Sequence, residues 1–273
     1  MNKKRFQVVW LILLLSTTTF AQQKIKSNLI TNNIKSNKMK IEIWSDIMCP
    51  FCYIGKRKLE AALEKFEHKD DVEIVWKSFQ LDPTIQYTPN KDVYSYLAER
   101  KGLSVEQSKS MHIGVTERAK EAGLTYNFDK AVINNSFNAH RVIQFAKTKS
   151  LGDAMEEKLF KAYFTDGKNM GDFETLATLA NEIGLDKAEV LDVLNTGKFA
   201  TEVNNDIREA NQLEINGVPF FVMDRKYAVS GAQDTEVFLK TLEKSYKDWI
   251  KNNPKTKFET TEGAVCTPAG ECK

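Results

Sequence analysis

Two cysteines, Cys49 and Cys52, stand three positions apart at the junction between a predicted strand and a predicted helix. Residues 39–45 alternate apolar and polar side chains, which indicates a strand. From Tyr53 onward, apolar residues recur near helical spacing among strong helix formers. The free N–H groups and the positive end of the helix dipole favour the thiolate form of Cys49. A thiolate is the attacking species in disulfide exchange, and Cys52, one turn deeper, is placed to resolve the mixed disulfide. We therefore expect Cys49 to be accessible to solvent and Cys52 to be buried behind it.

Two other interpretations of this pair stay open on the sequence alone. In one, Cys49 and Cys52 form half of a zinc site that Cys266 and Cys272 complete; in the other, they form a purely structural disulfide. Structural zinc ligands usually come from short loops, whereas Cys49 introduces a helix after a core strand. The five residues between Cys266 and Cys272 are also a wider spacing than usual for zinc. We therefore expect a redox pair and no metal.

Strand patterns occur only near the two ends of the chain. The first strand, residues 39–45, is predicted to turn Lys40 and Glu42 outward. A second strand is predicted over residues 72–78, and a hairpin over residues 220–229. A last amphipathic helix follows the hairpin.

Between the second strand and the hairpin, seven segments carry helical patterns separated by glycines. They lie around residues 92–100, 105–122, 136–148, 153–165, 173–183, 187–195 and 199–213. The sequence therefore predicts an α/β domain over residues 39–250 that is interrupted, after its second strand, by a large all-helical insertion at about residues 90–205.

The N-terminal segment has the pattern of a signal peptide over residues 1–21. Three basic residues precede a short apolar run, and the small residues Thr19 and Ala21 precede the cleavage point. The run is shorter than the roughly 20 apolar residues of a spanning helix, and a retained anchor is the alternative. Residues 22–38 are polar and predict a flexible leader. We expect a periplasmic or secreted protein without stable membrane contact after cleavage, or a cytoplasmic one if translation starts at Met39.

The charge balance argues against a nucleic-acid partner. The formal net charge is only +2, and no stretch interleaves many basic residues with aromatic ones. Apolar residues make up 42% of the 273-residue chain, which is enough to bury a core. We therefore set nucleic-acid binding aside.

A second motif, Val218-Pro219, opens the predicted hairpin. A proline at this place starts an edge strand and is compatible with a cis peptide bond. Alone, Val218-Pro219 is weak evidence for a functional site, but together with the C-P-F-C motif it becomes strong evidence.

Four stretches together resemble one family: "SDIMCPFCYIGKRKLE", "WKSFQLDP", "NSFNAHRVI" and "GVPFFVMDRKYAVSGAQ". They are similar to the FrnE-like branch of the DsbA-family oxidoreductases, which is related to the 2-hydroxychromene-2-carboxylate isomerases. The resemblance covers about Met39 to Trp249. It implies a thioredoxin fold with a helical domain inserted after the second strand, and dithiol–disulfide exchange with protein or peptide thiols and with a redox partner protein.

The resemblance also implies roles for individual residues. Cys49 would be the nucleophile, Cys52 the resolving thiol, and Pro219 the cis-proline that packs beside the reactive cysteine. Pro50, Phe51 and Val218 would contact the substrate, as would Ser136 and His140 if the insertion covers the active site. The competing interpretation of the last two is a helix cap and a satisfied helix histidine.

Two positions depart from the family pattern. Phe51 stands where DsbA has a histidine that stabilises the thiolate. Ile43 stands where thioredoxin has a buried carboxylate that assists proton transfer, which leaves Asp46 as the nearest acidic candidate.

The C-terminal tail, residues 251–273, is predicted to be flexible and contains Cys266 and Cys272. The resemblance allows an accessory redox pair that cooperates with the first pair. The alternative is a small disulfide staple whose loop closure contributes about 2.4 kcal/mol.

Two other functions remain alternatives. A glutathione-dependent isomerase or transferase would act on a small aromatic substrate, although Cys52 argues against it. A non-redox peptide-binding or chaperone module would use a groove formed by Trp44, Met48, Phe51 and Phe220. No cofactor is expected apart from the redox-active disulfide and, in the first alternative, glutathione.

Overall fold

The computed structural model describes residues 38–254. The predicted signal peptide, nearly all of the predicted leader and the tail cysteines Cys266 and Cys272 lie outside the described residues. Within the described range, no helix combines the length and the apolar character needed to cross a bilayer.

Four strands and nine helices make up the described part of the chain. The strands are β1 Met39–Ser45, β2 Val72–Ser78, β3 Phe220–Met223 and β4 Tyr227–Ser230. The helices are α1 Pro50–Lys65, α2 Val93–Lys101, α3 Val105–Glu121, α4 Phe137–Thr148, α5 Gly152–Phe164, α6 Phe173–Asn181, α7 Lys187–Thr196, α8 Ala200–Gln212 and α9 Thr235–Asn252. The predicted helical segments between β2 and β3 are all present.

Local sequence explains where several of these helices begin. Asp92, Asp172 and Asp186 each accept a hydrogen bond from a backbone N–H of the first turn. Ser104 and Gln107 form a reciprocal capping box at the start of α3. These contacts satisfy N–H groups that have no partner inside the helix.

The strands form one sheet in the order β2-β1-β3-β4. β1 pairs with β2 in parallel and with β3 antiparallel, so that Ile43 lies between Trp76 and Phe221. One face of the sheet packs with α1 and α9 in the main core. The fold is therefore an α/β fold with an all-helical insertion after the second strand, as predicted.

The other face of the sheet is also covered, which corrects one expectation. Glu42, predicted to point outward, is only 6% exposed. Helix α8 packs on this face, where Trp44 is fully buried with Ala210 and Ile215. Arg225 forms an ion pair with the Glu42 carboxylate. The period-two pattern gave the correct face for Glu42, but a strand covered on both faces buries its polar side chains as well.

Asp206 of α8 joins the insertion to the sheet. Its carboxylate accepts hydrogen bonds from the backbone N–H of Ser78 at 3.0 Å, from Gln144 at 2.6 Å and from the Lys77 ammonium at 2.9 Å. Its backbone carbonyl accepts a hydrogen bond from the Trp44 indole at 3.1 Å. Without this carboxylate the buried Ser78 N–H would lose its acceptor, whereas Lys77 would keep Glu209 and Gln144 would keep the Ser78 hydroxyl.

We predict that Asp206→Ala lowers the free energy of unfolding by about 2 kcal/mol, because the buried Ser78 N–H loses its acceptor, and Gln144 and the half-buried Lys77 each lose one of their partners. Urea unfolding followed by far-UV circular dichroism measures the change. Glu202→Ala, an exposed position on the same helix, is the control and should change stability by less than about 0.5 kcal/mol. An equally small effect of Asp206→Ala would contradict the role given to this carboxylate.

Candidate active site

The two cysteines occupy the turn between β1 and α1. Cys49 is the N-cap residue of α1 with extended backbone, and Pro50 is the first helical residue. The Cys49 N–H donates to the Asp46 carbonyl at 2.9 Å. Cys52 lies in the first turn, and both cysteines are free thiols. The predicted placement at a helix N-terminus is confirmed.

Cys49 is more buried than we expected from the sequence. Only 4% of its surface is exposed, and Cys52 is buried as well. The Val218–Pro219 segment lies against the motif, where the Cys49 thiol donates to the Val218 carbonyl at 3.5 Å. The Val218–Pro219 bond is cis, as predicted. The expectation of an accessible Cys49 is wrong because this distant segment packs directly against the sulfur.

Gly55 of α1 allows this close packing. A Cβ atom at position 55 would lie 3.0 Å from Pro219 Cγ and 3.1 Å from Phe221 Cζ. Such distances are shorter than ordinary van der Waals contact. A glycine one turn after Cys52 therefore lets the Pro219 loop lie flat on the helix.

The predicted substrate-contacting residues of the motif lie beside Cys49 and are half-buried. The Pro50 carbonyl accepts a hydrogen bond from the Tyr126 hydroxyl at 2.7 Å. The Arg118 guanidinium of α3 lies 5.8 Å from the centre of the Phe51 ring. The helical insertion thus contacts the motif directly, and a cation outside the motif reaches Phe51.

Cys52 has a strongly shifted acidity. Burial raises the pKa of the Cys52 thiol well above its ordinary value, and a hydrogen bond to Cys49 and the negative charge of Cys49 raise it further. The Asp46 N–H and the Ser45 hydroxyl act in the opposite direction. The site therefore keeps the proton on Cys52 until a nearby base takes it.

A buried acidic residue that the sequence analysis did not identify lies on the insertion, beside Ser45. Glu156 of α5 is 1% exposed, and the Ser45 hydroxyl donates to its Oε1 atom at 2.8 Å. Burial raises the pKa of Glu156 to about 7, against the lowering effect of the His140 charge and the Ser45 hydrogen bond. The pattern that could have revealed it is a single acidic residue among the buried positions of α5, such as Met155 and Leu159.

The carboxylate of Asp46, the nearest acidic candidate in the sequence, bonds to the backbone of two loops. Asp46 is buried, and its carboxylate accepts hydrogen bonds from the backbone N–H groups of Met48 at 3.2 Å and Leu81 at 2.8 Å. Asp46 therefore holds the loop before Cys49 and the segment after β2 together.

His140 and Ser136 of the predicted groove are both buried. His140 Nε2 lies 3.6 Å from Asp46 Oδ1, a distance at which a protonated His140 forms an ion pair with this carboxylate, and has no closer hydrogen-bond partner. Burial alone would lower the pKa of His140, but the nearby carboxylates of Asp46, Glu156 and Asp206 outweigh burial and raise it. Ser136 precedes α4 without capping it through its side chain, and instead lines a cavity.

The groove predicted for a binding module does not form. Trp44 and Phe220 pack on the face of the sheet covered by α8, whereas Met48 and Phe51 pack on the main core. The error arises because Trp44 alternates in direction with Ile43, so the two side chains lie on opposite faces of β1.

The comparison with protein families decides the assignment. A family model described as "DSBA-like thioredoxin domain" matches residues 40–243. The chain belongs to this DsbA-like family. The resemblance inferred from the four sequence stretches is thereby confirmed, and the four-stranded sheet with its helices is a thioredoxin-like DsbA fold.

Three relatives illustrate how far the likeness extends. A probable DsbA oxidoreductase from Streptomyces coelicolor is 37% identical with a TM-score of 0.72, covering 86% of this chain and 98% of its own. The uncharacterized Bacillus subtilis protein YwbO is 27% identical over 76% of this chain and 97% of its own. A 2-hydroxychromene-2-carboxylate isomerase is 15% identical with a TM-score of 0.53, covering 79% of this chain and 98% of its own, and shares the fold.

We predict different results for alanine at two helical glycines. Gly114 of α3 has open space around it, so Gly114→Ala should raise the free energy of unfolding by about 1 kcal/mol. Gly55→Ala should show no such gain, because its methyl group pushes Pro219, and should slow thiol–disulfide exchange by about tenfold through misplacement of the loop. Urea unfolding and a steady-state exchange assay measure both. Equal behaviour of the two variants would contradict the close contact.

Proposed function

We propose that this DsbA-like protein is a thiol–disulfide oxidoreductase that exchanges disulfides with protein or peptide substrates through Cys49 and Cys52. One observation supports this most: two free thiols share a helix N-terminus, and the deeper thiol, Cys52, has its pKa raised by burial and by Cys49. That asymmetry assigns attack to Cys49 and resolution to Cys52.

The proposed reaction has two exchange steps. When the protein oxidises a dithiol, a substrate thiolate attacks Cys49 of the Cys49–Cys52 disulfide, and Cys52 leaves as a thiolate that takes up a proton. A second substrate thiolate then attacks the mixed disulfide and releases the Cys49 thiolate. The substrate loses two electrons, which the cysteine pair gains; reduction of a substrate is the reverse. The reduction potential relative to the partner sets the direction.

Ser45 and Glu156 provide a path for the Cys52 proton. When Cys52 must become a thiolate, its proton passes to the Ser45 oxygen as the Ser45 proton passes to the Glu156 carboxylate, 2.8 Å away. Because the pKa of Glu156 is raised to about 7, its carboxylate can accept and return a proton near neutral pH. Four other charged groups interact electrostatically with Glu156: Lys56, His140, Lys147 and Asp153.

We predict that Glu156→Gln removes a pH dependence from the resolution of a mixed disulfide by Cys52. The carboxylate accepts a proton only when ionised, so the wild-type rate should rise as pH increases through about 7. The glutamine variant should lack this rise and be slower at pH 8, by about 100-fold. Stopped-flow measurement of peptide release from a Cys49-linked peptide tests this.

The neighbouring Glu157→Gln is the matched control. Glu157 forms ion pairs with Lys56 and Arg57 and is a third exposed, and its variant should keep the rise near pH 7. A rise that persists in Glu156→Gln, or is lost in both variants, would contradict the assigned path.

Insulin reduction and the refolding of a scrambled disulfide protein test the proposed function. We expect wild-type protein to catalyse at least one of the two, Cys49→Ser to catalyse neither, and Cys52→Ser to accumulate mixed disulfides. Inactivity of the wild type in both assays would refute the proposal and favour the non-redox binding module. Activity towards a small aromatic substrate that needs glutathione and persists in Cys52→Ser would favour the isomerase alternative.

A further inference from the structure

A cavity of about 320 Å³ lies next to the cysteine motif and extends under the helical insertion. Met48 and Pro50, the neighbours of Cys49 in the chain, form part of its wall. The side chains of Tyr96, Phe128 and Phe164 supply aromatic surface. Its volume is at the lower end for pockets that bind small organic groups, which start at about 300 Å³.

Two largely buried residues with hydroxyl groups line the cavity. Ser136 is 3% exposed and Tyr163 is 2% exposed, and both line the cavity. Within residues 38–254, neither hydroxyl has a hydrogen-bond partner. Burial raises the pKa of Tyr163, so its hydroxyl keeps its proton and can donate. Both residues line the cavity, so their hydroxyl groups are available there to pair with a hydrogen-bonding group of a ligand.

The charged groups of the wall do not favour an ionic ligand. The Asp46 carboxylate already accepts two backbone hydrogen bonds, and Arg100 forms an ion pair with Asp82. Burial lowers the pKa of His112, which favours its neutral form. Lys101 on the same wall is exposed to solvent. A neutral group with an apolar body and a polar tip matches these surroundings best.

We infer that this cavity binds an aromatic ring with a hydroxyl substituent next to the reactive cysteine. The ring would pack on the aromatic wall, and its hydroxyl would pair with Ser136 and Tyr163. Such a ring comes from a tyrosine beside the cysteine of a substrate peptide or from a small phenol. The peptide source rests on the proposed oxidoreductase function; the phenol source does not.

Peptides that differ in one residue test the peptide source. Disulfide peptides with tyrosine, phenylalanine or alanine beside the cysteine, on either side, are compared by kcat/KM. We expect the tyrosine peptide to have a kcat/KM about tenfold above that of the phenylalanine peptide, because only its hydroxyl group pairs with the cavity wall. The phenylalanine peptide should exceed the alanine peptide in kcat/KM by about tenfold, because its ring packs on the aromatic wall. Tyr163→Phe and Ser136→Ala should each reduce the tyrosine-to-phenylalanine ratio towards one.

Tyr94→Phe is the control, because Tyr94 bonds to Asp129 and does not line this cavity; it should keep the ratio. Isothermal titration with p-cresol tests the small-molecule source and needs no turnover. Binding of p-cresol that Tyr163→Phe weakens, without any peptide preference, would assign the cavity to free phenols. Turnover of all three peptides at equal kcat/KM without p-cresol binding would overturn the inference. Failure of every peptide to react would instead refute the proposed function.

Discussion

The pairing of β1 with β3 is the constraint on which the site depends. It aligns Trp44 with Phe220 and so brings Cys49 and Val218, 169 residues apart, within hydrogen-bond distance. Gly55 then lets Pro219 lie against α1. Without this register the Val218 carbonyl would not lie beside the Cys49 sulfur. The sheet therefore assembles a site from two segments that the chain separates by the whole insertion.

The helical insertion contributes to the chemistry as well as to the core. Its helix α5 provides Glu156 behind the cysteines and Tyr163 in the adjacent cavity, seven residues apart on one helix face. Asp206 fixes α8 to β2 through buried hydrogen bonds. Because the buried carboxyl group of Glu156, most of the cavity wall and the contact through Asp206 all come from the insertion, its packing against the sheet helps to set the environment of both thiols.

Local features of the sequence were sufficient to predict the helices, the strands and the position of the cysteine motif. The helix after Cys49, the seven inserted helices and the cis bond before Pro219 follow from spacing, capping residues and glycines close in sequence or from the family resemblance. The burial of Cys49, the position of Glu156 and the burial of Trp44 depend on contacts more than 100 residues apart. Periodicity gives the face of a strand or helix, but the packing of remote elements decides which faces become buried.

The most direct test of the account is to trap the mixed disulfide. Cys52→Ser protein is reacted with a peptide disulfide, digested and mapped by mass spectrometry, and Cys49→Ser protein is treated in the same way. We expect a stable peptide adduct on Cys49 of the first variant and little or none on Cys52 of the second, because desolvation raises the pKa of the Cys52 thiol well above its ordinary value. Preferential adduct formation on Cys52, or none on either cysteine, would contradict the central claim that Cys49 is the attacking thiol.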